Sequence, residues 1–327
     1  MRVILWVCLA LGVLWGGYWF VGSRAVESGV TRWFADTAAN GTTATNDGVS
    51  VAGFPNRFDL TVTKPHVADP VSGWGWQAPF AQVFSMTWKP WHLIAALPND
   101  QEIDAPGQKI RLQTSQMKAS LRVRPSSDLT LSEAVIEARD IAATSDQGWQ
   151  LAAKSAILAL AEDPTQQNAQ RLGLEVTDLV PDASLTAPLP DLGAGIAALR
   201  LDATLLLTAP LDRNIAETRP QLSGINLQDF QMIWGTLKIS AKGRITRADN
   251  GFAEGKIDFR VEDWRQVPKL LAALGLVLPG MGDSIARGFE VLAKSGADPE
   301  VLSLPLTFKK GRMSLGPLPL GTAPMLN

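Results

Sequence analysis

From residue 57 onward, apolar and polar positions alternate repeatedly with a period of two. Phe58, Leu60 and Val62 alternate with Arg57, Asp59, Thr61 and Thr63. Leu172, Leu174 and Val176 alternate with Arg171, Glu175 and Thr177, and Leu199, Leu201, Ala203 and Leu205 alternate with Arg200, Asp202 and Thr204. Leu237, Ile239 and Ala241 alternate with Lys238, Ser240 and Lys242, and Ile257, Phe259 and Val261 with Lys256, Asp258, Arg260 and Glu262. Shorter runs of the same kind occupy 109–113 and 120–124. Successive side chains of a strand point to opposite faces, so each run puts its apolar set on one face and its charged set on the other. Antiparallel sheets with one dry and one wet face produce this pattern; parallel sheets covered on both faces read as continuous apolar runs.

Two hairpins are expected, one at 246–252 around Asn250-Gly251 and one at 308–312 around Gly311. Both contain residues that adopt positive φ readily. Helical spacing is rarer. It appears at 264–274, with Pro268 in the first turn, and in the stripe Ile285, Phe289 and Leu292. The predicted fold is mainly β (α+β). A curved antiparallel sheet, groove-like or two-halved, carries a few packing helices behind one N-terminal transmembrane helix.

That helix rests on residues 3–22, which contain no charge and include ten Val, Ile, Leu or Phe. At about −0.3 to −0.6 kcal/mol each, these ten favour insertion by roughly 3–6 kcal/mol. Twenty helical residues rise about 30 Å, the hydrocarbon thickness of a bilayer. Trp15, Tyr18 and Trp19 lie toward the far end, where aromatic rings favour the headgroup zone. Arg2 favours a cytoplasmic N-terminus, although Arg24 and Arg32 follow the span. A cleaved signal peptide is the rival reading, with Ser23 and Ala25 as small residues for a peptidase. The apolar stretch exceeds the 7–15 residues usual in such peptides, roughly, and so favours a retained anchor. Either reading exports the rest of the chain, in a Gram-negative host to the periplasm. The expected location is the inner membrane, single-pass, with the bulk of the chain outside the cytoplasm.

The expected organisation is an anchor or signal at 1–25, a helix and linker at 26–48, a first β-rich half at 49–180, a hinge at 181–191 and a second β-rich half with C-terminal helices at 192–327. The hinge is suggested by Pro181, Pro188 and Pro190.

Composition narrows the function. The 327 residues are 46% hydrophobic with 30 basic against 32 acidic side chains. High hydrophobicity and a net charge of −2 exclude a disordered chain. They also argue against a nucleic-acid binder, which needs a basic stripe to displace counterions. Cys8 lies within the span, where it serves as a small apolar residue. His66 and His92 have no metal-ligand neighbours at the short spacings usual for zinc, so no metal or other cofactor is expected. Gly282-Asp283-Ser284-Ile285 resembles the opening block of GDS-type esterases, but both histidines precede it, the reverse of the order in those enzymes. A helix cap at Asp283 or Ser284 is the expected role. Glu133 and Glu137 stand four apart, a pairing open to acid–base work and equally to the wet side of a strand. The chain is expected not to be an enzyme.

Six aromatic residues, Trp74, Trp76, Phe80, Phe84, Trp88 and Trp91, fall within eighteen positions. Packing in a core or at a sheet edge is the default for such a cluster, with lipid contact next and sugar stacking last.

Several segments resemble a known family. They are 53–60 (GFPNRFDL), 76–84 (WQAPFAQVF), 89–96 (KPWHLIAA), 304–308 (LPLTF) with Gly311, and 315–321 (LGPLPLG). Together they resemble domain-of-unknown-function family 2125, uncharacterised proteins of the Gram-negative periplasm. That resemblance implies no activity and no catalytic residues. The layout is also similar, at the level of fold, to AsmA-like envelope proteins, thought to hold lipid in a long groove-shaped sheet.

An apolar sheet face behind a membrane anchor suggests a protein that shields acyl chains, with phospholipid as partner. The expected lining is Phe58, Leu60, Val62, Leu201, Leu205, Leu237, Ile239, Ile257 and Phe259. A closed core built from the same residues is the competing reading, because periodicity identifies the apolar face and not what covers it. A scaffold for another envelope protein and a hydrolase are the alternatives.

Overall fold

The computed structural model describes residues 1–277, 282–294, 296 and 298–326. Its contacts divide the chain into two compact units. Unit 1 comprises Met1–Pro125 with Ala138–Gly148, and unit 2 comprises Ser126–Glu137 with Trp149–Asn327.

Unit 1 opens with the helix α1 (Arg2–Ala39), which is continuous through the expected junction at residue 25. Its strands are β1 (Thr43–Thr45), β2 (Gly48–Ala52), β3 (Arg57–Thr63), β4 (His66–Ala68), β5 (Gly75–Gln77), β6 (Phe80–Met86), β7 (Lys89–Leu97), β8 (Asp100–Ala105), β9 (Gln108–Gln113) and β10 (Gln116–Val123). The next strand, β11 (Leu131–Ser145), contributes residues to both units. The run β2–β3–β6–β7–β10 is antiparallel throughout. So is the run β1–β4–β5–β8–β9–β11. The linker expected within 26–48 therefore contains a short strand, β1, paired with β4.

The second part of α1 belongs to this unit's core. Positions 16, 19, 23, 26, 30, 34 and 37 are buried or half-buried, a stripe with helical period. Phe34 packs with Ala44 and Val62, flanked by Val30, Val49, Leu60 and Val67. In contrast, residues 2–15 are exposed on every side.

Unit 2 continues with β12 (Gln150–Glu162), β13 (Ala169–Leu179), the short helix α2 (Ala183–Thr186), β14 (Ile196–Leu207), α3 (Ile215–Thr218), β15 (Leu222–Trp234), β16 (Leu237–Arg247) and β17 (Ala253–Glu262). It ends with α4 (Val267–Ala273), α5 (Gly282–Lys294), β18 (Val301–Lys309), β19 (Arg312–Leu315) and β20 (Leu318–Thr322). From β12 to β20 each strand pairs antiparallel with the next, forming a nine-stranded meander. Both expected hairpins are present, joining β16 to β17 and β18 to β19. In the second, Lys310 and Gly311 have φ of 52° and 73°, the mirror-image turn that suits strand twist.

The expected hinge, 181–191, lies inside unit 2. Asp182 caps α2 and accepts from the Gln150 amide at 2.9 Å. Bonds from Ser184 and Gln150 hold the Asp182 carboxyl down to about 2. Leu189 is fully buried among Leu192, Trp234 and Leu237. The proline-rich segment is a loop laid over a core, and the units divide around β11 instead, at 126–149. Pro268 sits in the first turn of α4, where a missing N–H costs nothing. Ile285 and Phe289 of α5 are buried against the same core as Leu302 and Leu304. Asp283 and Ser284, expected to cap α5, lie within its first turn.

Candidate functional site

Directly opposed residues of neighbouring strands share a face. Three consecutive rows across β12–β18 are apolar from end to end. The first is Ala156, Val176, Leu199, Met232, Ile239, Val261 and Leu302. The second is Leu158, Leu174, Leu201, Phe230, Ala241, Phe259 and Leu304. In the third, Leu160, Leu172, Ala203, Leu227, Gly243, Ile257 and Leu306 follow one another after a bulge in β15. The opposite face between the first two rows carries Glu175, Arg200, Gln231, Ser240, Arg260 and Ser303.

That wet face is laced with ion pairs. Arg171 grips Asp202 with two bonds, at 2.9 and 2.6 Å. The guanidinium holds the Asp202 carboxyl below the usual carboxylate range. Arg200 meets Glu175 at 3.2 Å and Lys256 meets Asp258 at 2.6 Å. Exposed pairs of this kind contribute at most about 1 kcal/mol each, so they identify the solvent side more than they stabilise it.

The dry face is covered unevenly. Toward β16–β18, Val261, Leu302 and Leu304 are buried beneath α4, α5 and the 189–196 segment, with Met232, Ile239 and Phe259 packed alongside. A second cluster joins Ile245 and Phe308 to Ala323 and Leu326 of the C-terminal segment, with Ile257 at its edge. Toward β12–β14 the cover thins. Among the described residues Leu158, Leu160, Leu172, Leu174 and Leu201 belong to neither cluster, and Leu158 is 41% exposed.

The nine expected lining residues therefore separate into three settings. Phe58, Leu60 and Val62 lie in unit 1 against α1. The Phe58 ring faces Trp19 at 6.3 Å and Tyr18 at 6.4 Å, and Val62 is buried beside Phe34. Their alternation marks a core face, closed by the chain's own helix. Leu237 is fully buried, and Ile239, Ile257 and Phe259 border the two clusters of unit 2. Leu201 and Leu205 are half-buried on the less covered part of the face. Leu158, Leu160, Leu172 and Leu174 complete that part. Leu172 and Leu174 stood out in the alternation, but adjacent Ile157 and Leu158 break the period in β12.

The six clustered aromatic residues do not form one patch. Trp74 and Trp88 are exposed in turns. Trp76, on β5, donates its indole N–H to Gln101 Oε1 at 2.9 Å. Phe80 and Phe84 share a face of β6, and Trp91 is half-buried on β7. The extended ring cluster of unit 1 is a different one, built from Trp15, Tyr18, Trp19 and Phe20 of α1 with Phe54 and Phe58.

Unit 1 also holds a cleft of about 640 Å³ lined by His66, Gln77, Gln101, Glu102 and Arg111 among others. Its polar groups engage one another: Gln77 donates to Glu102, and Arg111 lies 3.9 Å from the same carboxylate. His92 hydrogen-bonds Ser120 at 3.1 Å, and the Ser284 hydroxyl accepts from Arg287 at 3.3 Å. Glu133 and Glu137 both lie on β11. Among the described residues, no three His, Cys, Asp or Glu side chains group as a metal site would require. Among the described residues one helix, α1, is long and apolar enough to cross a membrane.

No curated protein matches the chain. A family model described as an uncharacterised protein conserved in bacteria, DUF2125, matches residues 19–324, nearly the whole length, and the chain belongs to that family.

Proposed function

We propose that this chain is a non-enzymatic envelope protein, held in the inner membrane by α1, whose unit 2 shelters lipid acyl chains on its apolar sheet face. The observation that carries this reading is the set of three uninterrupted apolar rows, left partly uncovered toward β12–β14. Contiguous exposed apolar surface is uncommon on soluble units and marks contact with an apolar partner. An acyl chain is narrow and long, as is a strip of leucines running across three strands. Each buried methylene contributes about 0.8 kcal/mol, so ten contribute roughly 8 kcal/mol before ordering costs.

The test compares detergent-purified full-length protein with a Leu158→Glu/Leu201→Glu variant. Leu158 is exposed and Leu201 half-buried, so circular dichroism of both proteins checks that the variant keeps its sheet, and the anchor is identical in the two. After washing, extraction and mass spectrometry are expected to find phospholipid retained by the parent and lost several-fold by the variant, because a carboxylate on the strip opposes an acyl chain. Equal retention would remove the lipid reading. A stoichiometric protein recovered in place of lipid would favour a scaffold.

A further inference from the structure

The part of α1 that stands clear of unit 1 is too short to cross a bilayer. Residues 2–15 are exposed, and at about 1.5 Å per residue they rise about 21 Å against a hydrocarbon thickness of about 30 Å. The remaining uncharged residues, 16–22, are those that unit 1 already flanks. A Cβ at Gly16 would lie 3.7 Å from the Phe54 ring, and one at Gly22 would meet Phe58. If the uncharged span is in lipid, the end of unit 1 beside it is in lipid too.

From this geometry we infer that two adjacent turns of unit 1, 53–56 and 86–89, insert into the outer leaflet beside α1 as a second membrane contact. The inference rests on α1 being a membrane anchor and is independent of the lipid strip on unit 2. Three features of the turns support it. First, they form one tip: the Thr87 amide and hydroxyl both donate to the Asn56 carbonyl, at 3.1 and 3.2 Å. Second, the side chains at this tip suit an interface. Phe54 is 57% exposed, Trp88 53% and Met86 42%, with Lys89 beside them and no acidic residue in either turn. Aromatic rings and lysine are the residues that settle at the headgroup boundary.

Third, α1 satisfies backbone carbonyls at the tip. Tyr18 donates its hydroxyl to the Thr87 carbonyl at 2.8 Å, and Trp19 its indole N–H to the Arg57 carbonyl at 2.7 Å. Non-helical backbone is tolerated at membrane depth where the protein itself supplies such partners. Gly53 has φ 96° and a Cβ there would lie 2.9 Å from the Arg57 carbonyl oxygen, so the turn depends on glycine.

The experiment uses the full-length chain in vesicles of phosphatidylethanolamine and phosphatidylglycerol that carry nitroxide-labelled acyl chains. An environment-sensitive fluorophore is attached to native Cys8, or, in a Cys8→Ala background, to Phe54→Cys, Trp88→Cys or Lys118→Cys. Lys118 lies on β10 opposite Ala96, well along β7 from the tip. Emission is expected to fall at least about twofold at positions 8, 54 and 88 and to be unchanged at 118, because nitroxides quench groups within the leaflet. Quenching at 8 without quenching at 54 and 88 would overturn the inference and leave the anchor standing. Absence of quenching at 8 would remove the anchor and the inference together. Trp88→Cys lies at an exposed turn and guards against misfolding of the Phe54 variant.

Discussion

Replacing Trp234 with alanine is expected to destabilise unit 2 by about 3–5 kcal/mol, the range for removing a fully buried large aromatic side chain. Trp234 ends β15 with 1% of its surface exposed, among Leu189, Leu192 and Leu237. Its indole N–H donates to the Gly193 carbonyl at 3.1 Å and so ties the proline-rich loop to the sheet. Gly235 follows with φ 56°, and a Cβ there would stand 2.7 Å from the Leu192 carbonyl oxygen. Loop and strand approach too closely at this point for the cavity to collapse easily. Hydrogen exchange of the β15 and β16 amides reads the effect, since two compact units need not unfold together. Trp234→Phe keeps most of the buried area and loses the hydrogen bond, so it is expected to cost about 1–3 kcal/mol. A loss below about 1 kcal/mol in the alanine variant would show that the 189–196 segment does not anchor this core.

Replacing Phe58 with alanine is expected to have a similar cost in unit 1, about 3–5 kcal/mol, and to loosen α1 from its strands. Phe58 is buried at the contact with Tyr18, Trp19 and Gly22, so its removal empties the joint between helix and sheet. The Phe34 cluster lies further along the helix and retains its own contacts. Amide protection is therefore expected to fall at 19–26 more than at 30–37. Uniform loss along the helix would mean that α1 docks as one rigid element. No loss would mean that the ring cluster does not hold it.

The strand pattern was legible because one sheet face is wet. Arg200, Lys238 and Lys256 alternate with Leu201, Ile239 and Ile257, so the face of each strand follows from sequence alone. The contact of α1 with β3 was not legible, since Trp19 and Phe58 are far apart along the chain and each has a sufficient local explanation. Strands β1, β4 and β5 span three residues each, too few for a period to show. The division between units was hidden because β11 is one strand of fifteen residues that serves both. Pro181, Pro188 and Pro190 drew attention elsewhere because proline marks loops, exposed or covered alike.

The candidate surface was half legible for a related reason. Alternation named Leu201 and Leu205 alongside Phe58 and Leu237, because it reports the side of a strand and not its cover. Cover came from elements distant in sequence: α1 over Phe58, the 189–196 loop over Leu237, and the C-terminal Leu326 over Ile245.

The most direct measurement places a photoreactive benzophenone side chain at Leu201 or at Arg200 in full-length protein within native membranes. These positions are adjacent in β14 but point to opposite faces of the sheet. Irradiation followed by mass spectrometry is expected to yield a phospholipid adduct from position 201 and none from position 200. An adduct at both positions, or at neither, would contradict an acyl-binding apolar face.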